Sequence, residues 1–343
     1  MKRPIYRTTG MIILVIVVAL AATTIGTVAV PAKSVLKMLA YKIPGFSQRI
    51  EPDWTKAQEV IVLQIRLPRV LLAILVGGGL SIAGVLFQGI LRNPLADPYI
   101  IGVSSGASLG ATLALLFFIP MGWGGFSILP LFAFTGAILA TFVVYRVGMV
   151  RGRLHPTNLI LAGVAVAALL TAFVSFLMVL RIQNIQDVYL WLMGSLSGRG
   201  WKHLAIAAPY ILVGIGAAVW LARDLNVYLL GEETAHSLGI GVQKLQRQVL
   251  IVGSLIAAAC VSVTGVIGFV GLMVPHAVRL VVGPEHRRLT IVSFFSGAIF
   301  LLVADTLART LFSPIELPVG IITALAGGPF FIYLMKRGSG SYG

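Results

Sequence analysis

The sequence predicts an all-α polytopic membrane protein with ten transmembrane helices and both termini in the cytoplasm. Three observations predict it. The 343 residues are 58% hydrophobic and only 11% charged, and mean hydropathy is +0.98, whereas a soluble domain is about 45–50% apolar and about 25% charged. Apolar runs of about twenty residues, the length a helix needs to cross roughly 30 Å of hydrocarbon, recur along the chain. The Lys and Arg behind the net charge of +15 stand singly at the ends of these runs. That is a topology pattern, not the clustered basic face of a nucleic-acid binder, and nucleic acid is excluded as a partner.

In order, the predicted crossings are 11–30, 70–91, 99–119, 126–145, 159–180, 204–221, 248–264, 267–282, 289–308 and 317–335. The first follows Lys2, Arg3 and Arg7 as a signal peptide would, but it is a full bilayer long with no clear small-residue cleavage site, so it reads as a retained helix. An outer segment, 31–69, carries Pro44, Gly45 and Pro52 and a short helix predicted from an N-cap at Asp53. It ends in Arg66-Leu67-Pro68-Arg69, with Pro68 tolerated at the start of the second crossing. In the first inner turn, Asp97 is placed to cap the third crossing. Gly106 and Gly110 mark close helix packing. Residues 187–198 are too short to cross and, with Tyr189, Trp191 and Met193, read as an aromatic-belt segment or as a helix at a cavity edge. The uncharged run 248–277 is too long for one crossing and is predicted to split near Thr264–Val266, with a turn that protein or water must surround. Gly84-Val85 before Pro94 and Gly265-Val266 before Pro275 form a faint echo of an inverted repeat. This topology puts fifteen of the 26 Lys and Arg inside, and seven of the outer eleven in the segment 31–69.

Polar chemistry concentrates in 223–247. From Arg223 to Arg247 six residues are charged, and each would cost roughly 2.5–3.5 kcal/mol at a bilayer centre. The segment therefore lies in water. Gly231 precedes Glu232 and Glu233 and Gly239 follows Leu238, which predicts a two-turn helix with acids at its positive end and a glycine stop. No His-Glu-x-x-His, Cys pair or phosphate loop is present, Cys260 being alone, so no catalytic residue, metal site or bound cofactor is expected on this chain. ATP-driven transport would need the nucleotide on another chain. Asp305 is the one acid inside a predicted crossing, and it reads either as an i, i+4 ion pair with Arg309 or as the carrier of a proton-coupled secondary transporter. Arg66, Arg69 and Arg309 sit at the outer boundary, as snorkelling anchors or as a basic rim for carboxylates of a docking protein. His276 and Arg279 share a helix end and read as an interfacial polar face.

Seven stretches then carry a resemblance: RLPR from Arg66, QGILRNPLADPYIIGVSSGASLGA from Gln88, LILAGVA from Leu159, LWLMGSL from Leu190, LLGEETAHSLGIGV from Leu229, TGVIGFVGLMVPHAVRL from Thr264 and ELPVGIITALAGGPFFIYLMKR from Glu316. In this order, from about Val60 to Arg337, the sequence closely resembles the FecCD or BtuC-like permeases of ABC importers for ferric siderophores, haem and vitamin B12. The resemblance implies a type II importer fold of ten helices in a bacterial or archaeal cytoplasmic membrane. It implies a second permease subunit, two cytoplasmic ATPase subunits that hold ATP and Mg, and an external binding protein. It places ATPase coupling on Leu230, Gly231, Glu232, Glu233, Ala235, His236, Leu238 and Gly239. It places binding-protein docking on Arg66, Arg69 and Arg309, and the cytoplasmic gate on Pro156, Thr157 and Asn158. The fifth and tenth crossings are implied to form the dimer contact and line the path.

Overall fold

The computed structural model describes residues 3–26, 28–45, 48, 50–118, 128–150, 153–182 and 185–338. Residues 27, 119 and 126–127, predicted within the first, third and fourth crossings, lie outside the described residues. Helix α1 (Arg3–Thr24) and α2 (Ala32–Tyr41) precede α3 (Lys56–Val60), which runs through a π-helical stretch, Ile61–Arg66, into α4 (Leu67–Ile90). A 3-10 turn, Pro98–Ile101, leads to α5 (Val103–Leu113), extended by a π stretch, Ala114–Phe118, and then to α6 (Ile128–Gly148). A two-stranded hairpin pairing Met149 with Leu154 connects to α7 (Pro156–Leu180). Beyond it lie α8 (Ile185–Leu192), α9 (Trp201–Tyr228), α10 (Glu232–Ser237), α11 (Val242–Thr264), α12 (Val270–Val282), α13 (His286–Thr310) and α14 (Val319–Gly338). Among the described residues six helices are long and apolar enough to cross a membrane, and four shorter apolar ones, Thr9–Thr24, Val103–Phe118, Val270–Val282 and Val319–Leu334, fall at the remaining predicted runs.

Helix α4 is the axis of the packing. It is apolar on every side, the pattern of a helix enclosed by others, and α13, α11, α9 and α12 pack around it. Glycines set how close they come. A Cβ at Gly77 would strike the Gly297 carbonyl on α13, and one at Gly84 would strike the Gly271 carbonyl on α12. The predicted glycine pair behaves likewise: Gly106 and Gly110 lie against the carbonyls of Gly136 and Phe132, so α5 and α6 meet backbone to backbone.

Two local expectations are corrected. The short outer helix is capped by Thr55, not Asp53. Thr55 Oγ1 accepts from Gln58 N at 3.2 Å while Gln58 Oε1 accepts from Thr55 N at 2.9 Å, a reciprocal box that Asp53 lacks the spacing to make. Asp53 instead pairs with Lys37. Nor does Pro68 begin a helix, because α3 continues through the π stretch into α4. There Leu67 N bonds back five residues to Val62 O, and Pro68 has no N–H, which strands the Leu63 carbonyl. The Trp201 indole N–H fills that vacancy at 2.9 Å and ties the start of α9 to the kink.

The long uncharged run breaks where predicted. Helix α11 ends at Thr264, Gly265 adopts φ +74°, and α12 begins at Val270 after Phe269 at φ +67°. Protein satisfies the buried turn: Ser195 N donates to Thr264 O at 2.7 Å, and Tyr99 hydroxyl donates to Ile267 O at 3.1 Å. The inverted-repeat echo does not survive, since Gly84 is mid-helix while Gly265 ends one. Residues 187–198 do more than line an interface: Trp191 is buried, and Gly194 packs on the Val266 carbonyl of the turn.

Candidate functional site

The polar segment builds a short helix on the inner side of the predicted topology. Gly231, at φ +123°, and Gly239, at φ +83°, bracket α10, positions that side chains other than glycine rarely adopt. Glu232 and Glu233 stand in its first turn, where carboxylates complement the helix dipole. The eight expected coupling residues divide by direction. Leu230 and Leu238 are 67% and 63% exposed, and Glu233, His236 and Gly239 also face outward. Ala235 is wholly buried against the body, so it cannot enter a partner's groove.

Glu232 is exposed as well but bonds back to the body. Its Oε1 accepts from the Tyr228 hydroxyl at 3.1 Å, four residues earlier at the end of α9. Tyr228 is fully buried and lies at a junction. Gln246 Nε2 of α11 reaches its hydroxyl at 3.4 Å, and the Arg92 guanidinium sits 4.2 Å over its ring while Nη2 donates to its carbonyl at 2.8 Å. Two residues earlier, Asn226 Oδ1 accepts from His286 N at 2.7 Å and its Nδ2 donates to Glu285 Oε1 at 3.0 Å. Glu285 caps α13 by accepting from Arg287 N and Arg288 N. Burial pushes the Glu285 carboxyl up, but these backbone and Asn226 donors outweigh it and hold it below the usual glutamate value. The short helix is thus wired to α4, α9, α11 and α13. Sequence reasoning missed Tyr228, Arg92, Gln246, Asn226 and Glu285; the i, i+4 spacing of Tyr228 and Glu232 was the one signal available.

Beside α10 opens a cavity of about 610 Å³ lined by Glu232, Glu233, His236, Lys244 and Gln246, and also by Leu154 and His155. Those two residues immediately precede Pro156, Thr157 and Asn158, which form the first turn of α7 with His155 at the N-cap. The two residues that lead into the expected gate therefore border one cavity with the expected coupling helix.

At the opposite end, Arg66, Arg69 and Arg309 are 5%, 6% and 4% exposed. The expectation of an open basic rim is corrected by where their guanidinium groups go. Arg66 Nη1 donates to the carbonyls of Thr23 and Thr24 at 2.9 and 3.1 Å, and its Nη2 to Val28 O, while Arg309 Nη2 donates to Ala22 O. The carbonyls of Ala22, Thr23 and Thr24 are among the last of α1, the negative end of its dipole, and Val28 lies in the chain just beyond it. Arg69 grips Asp305 through Nε at 3.0 and 3.1 Å and Nη2 at 2.9 Å, and reaches Glu316 at 2.9 Å with Nη1. The predicted Arg309–Asp305 pair is present at 3.9 Å but is the weaker partner. Burial raises the Glu316 carboxyl, but the Ser197 hydroxyl and Arg69 bring it below the ordinary value. Asp305 is 1% exposed and lies against the guanidinium groups of both Arg69 and Arg309. Among the described residues no cluster of three His, Cys, Asp or Glu can hold a metal.

Comparison with known proteins adds an independent line. Residues 13–337 match the FecCD transport family. The chain is 44% identical over 332 residues to the cobalamin import system permease protein BtuC of Halobacterium salinarum, covering 93% of this chain and 88% of the relative. It is 38% identical over 315 residues to the Fe(3+) dicitrate permease FecD of Escherichia coli, covering 91% and 96%. It is 41% identical over 286 residues to the hemin permease HmuU of Yersinia pestis, covering 81% and 83%. A solved metal-chelate type ABC transporter in an inward-facing conformation superposes with TM-score 0.80 at 31% identity, covering 97% of this chain and 99% of that one.

Proposed function

We propose a function from one premise: the chain belongs to the FecCD transport family, whose members are multi-pass permease subunits of ABC transporters. The chain is the membrane subunit of an importer for a bulky metal chelate or corrinoid, with ferric siderophore as first choice and haem and cobalamin beside it. Ten helices cross the bacterial or archaeal cytoplasmic membrane with both termini inside. A second permease subunit covers the apolar faces that α7 and α14 leave bare, where Leu161, Phe173, Val179, Leu325 and Ile332 are at least half exposed. Two ATPase subunits supply ATP, Mg and hydrolysis, and an external binding protein delivers substrate.

The observation that carries this reading is the shared cavity between α10 and Leu154–His155. Motion of α10, driven by a closing ATPase pair, acts on the cavity wall next to Pro156, Thr157 and Asn158 and changes the inner end of the path. Leu230 and Leu238, both exposed, supply the apolar contact with the ATPase, flanked by Glu233 and His236. On the outer side, Arg66, Arg69 and Arg309 shape the surface the binding protein meets by holding α1, α4 and α13 together, in place of direct pairing with its carboxylates.

Leu238→Cys provides the test. The native Cys260 is buried, so the introduced thiol is the accessible one. Cross-linking of this variant to the ATPase, together with loss of ATPase co-purification in Leu230→Asp/Leu238→Asp, is the expected result. An ATPase that still co-purifies with the double variant rules out α10 as its docking element.

A further inference from the structure

Helices α6 and α11 enclose a groove of about 510 Å³ that no step of transport uses. From α6 it is lined by Phe134, Ile138, Thr141, Phe142 and Tyr145, and from α11 by Arg247, Leu250, Ile251, Ser254 and Leu255. Both sets recur at three- and four-residue intervals, so each is one continuous helix face. The groove is open to the surrounding medium, Phe142 and Ile251 being 57% and 60% exposed.

We propose that this groove binds one anionic phospholipid of the inner leaflet, with an acyl chain between the helices and the phosphate at Arg247. Length is the first argument. From Tyr145 to Phe134 the groove runs eleven residues, about 16 Å at 1.5 Å per residue, which is the depth of one leaflet in a hydrocarbon core of roughly 30 Å. Charge is the second. Arg247 is exposed at the inner mouth and takes part in no ion pair among the described residues, and on α6 the Arg146 guanidinium lies 6.0 Å from the ring centre of Phe142, which lines the groove. Arginine matches a phosphate with two parallel donors, and basic pockets between helices on the cytoplasmic side suit anionic headgroups. The third is an unpartnered polar atom. Ser254 is 2% exposed, its hydroxyl has no hydrogen-bond partner among the described residues, and it lines the groove. It lies seven residues, about 10 Å, deeper than Arg247, at the depth an acyl chain would occupy.

The test asks nothing of transport. Full-length permease is reconstituted into vesicles of equimolar phosphatidylglycerol and phosphatidylcholine, extracted in mild detergent, and its retained lipids are counted by native mass spectrometry. Wild-type protein is expected to keep one phosphatidylglycerol, about fivefold over phosphatidylcholine, the factor that roughly 1 kcal/mol per basic residue corresponds to. Arg247→Gln loses the preference and keeps a neutral lipid; Ile251→Trp, which fills the groove, loses both. Inorganic phosphate at millimolar concentration leaves the retained lipid in place. Equal retention of the two lipids by wild type, unchanged phosphatidylglycerol on Arg247→Gln, displacement by free phosphate, or a lipid-free groove covered by a second copy of the chain each overturns the proposal.

Discussion

Replacing Asp305 with asparagine separates a structural anion from a proton carrier. In the native protein both carboxylate oxygens accept from Arg69, over distances of 2.9 to 3.1 Å, and all three members of the Asp305, Arg69 and Arg309 cluster are at most 6% exposed. The substituted amide would keep the volume but turn an N–H₂ donor toward guanidinium donors and leave two buried cations with one anion, Glu316, whose side chain is 33% exposed. Removing one partner of a buried pair costs about 3–5 kcal/mol. For a chain of this size, at about 2 °C per kcal/mol, the midpoint in detergent should fall by roughly 6–10 °C. The double variant Arg69→Met/Asp305→Leu replaces the pair with apolar groups of similar size and should regain at least half of that loss. Thermal unfolding of wild type, Asp305→Asn and the double variant makes the comparison, with Arg69→Met as the remaining single change. The reasoning fails if Asp305→Asn melts with wild type while uptake is lost, because the carboxylate would then be serving transport by titrating.

Tyr228→Phe keeps the buried ring under Arg92 but removes the hydroxyl that joins Glu232 to Gln246; a loss of about 1–2 kcal/mol is expected, with substrate moved per ATP falling more than ATPase rate itself, measured in proteoliposomes. Trp201→Phe leaves the Leu63 carbonyl beside Pro68 without its donor and should cost about 1–3 kcal/mol by thermal unfolding. Gly110→Val drives a side chain into the Phe132 carbonyl, so loss of folded protein in size-exclusion profiles is expected, whereas Gly10→Val, with open space around it, is neutral. Glu316 has a folded pKa below its ordinary 4.5, so the stability it contributes is complete above about pH 4.5 and is lost as pH falls through the lower folded value. Glu316→Gln should remove that part of the acid sensitivity of the melting temperature, and combined with Asp305→Asn it should deepen the loss at neutral pH, because Glu316 is then the remaining anion beside Arg69.

Much of the architecture was legible because bilayer thickness imposes a length on apolar runs and a position on charges. The split at Thr264–Val266 and the short helix bracketed by Gly231 and Gly239 rest on such local rules, whereas Asp97, expected to cap the third crossing, caps only the 3-10 turn Pro98–Ile101, where Oδ1 accepts from Tyr99 N at 2.8 Å, and α5 starts after Gly102 at φ +84°. What escaped was long-range. Nothing in the spacing of Arg69 and Asp305, 236 residues apart, announces their pairing, and the i, i+4 rule pointed instead to Arg309. Arg66 read as a surface cation because burial of arginine depends on carbonyls at the end of α1, which no pattern around residue 66 encodes. In the polar segment, acids before a glycine-bounded helix marked its N-terminus correctly, but whether Glu232 faced a partner or the body depended on Tyr228. The cap chemistry was local, and the wiring was not.

Uptake by proteoliposomes containing this permease, its ATPase and its binding protein tests the central claim most directly. Ferric siderophore, haem and cobalamin are each offered with and without ATP inside the assay. Accumulation of one of them that needs both ATP and binding protein, and that Leu230→Asp/Leu238→Asp abolishes, is the predicted result. Accumulation driven by an imposed proton gradient without ATP, or no ATP-dependent movement of any of the three, contradicts it.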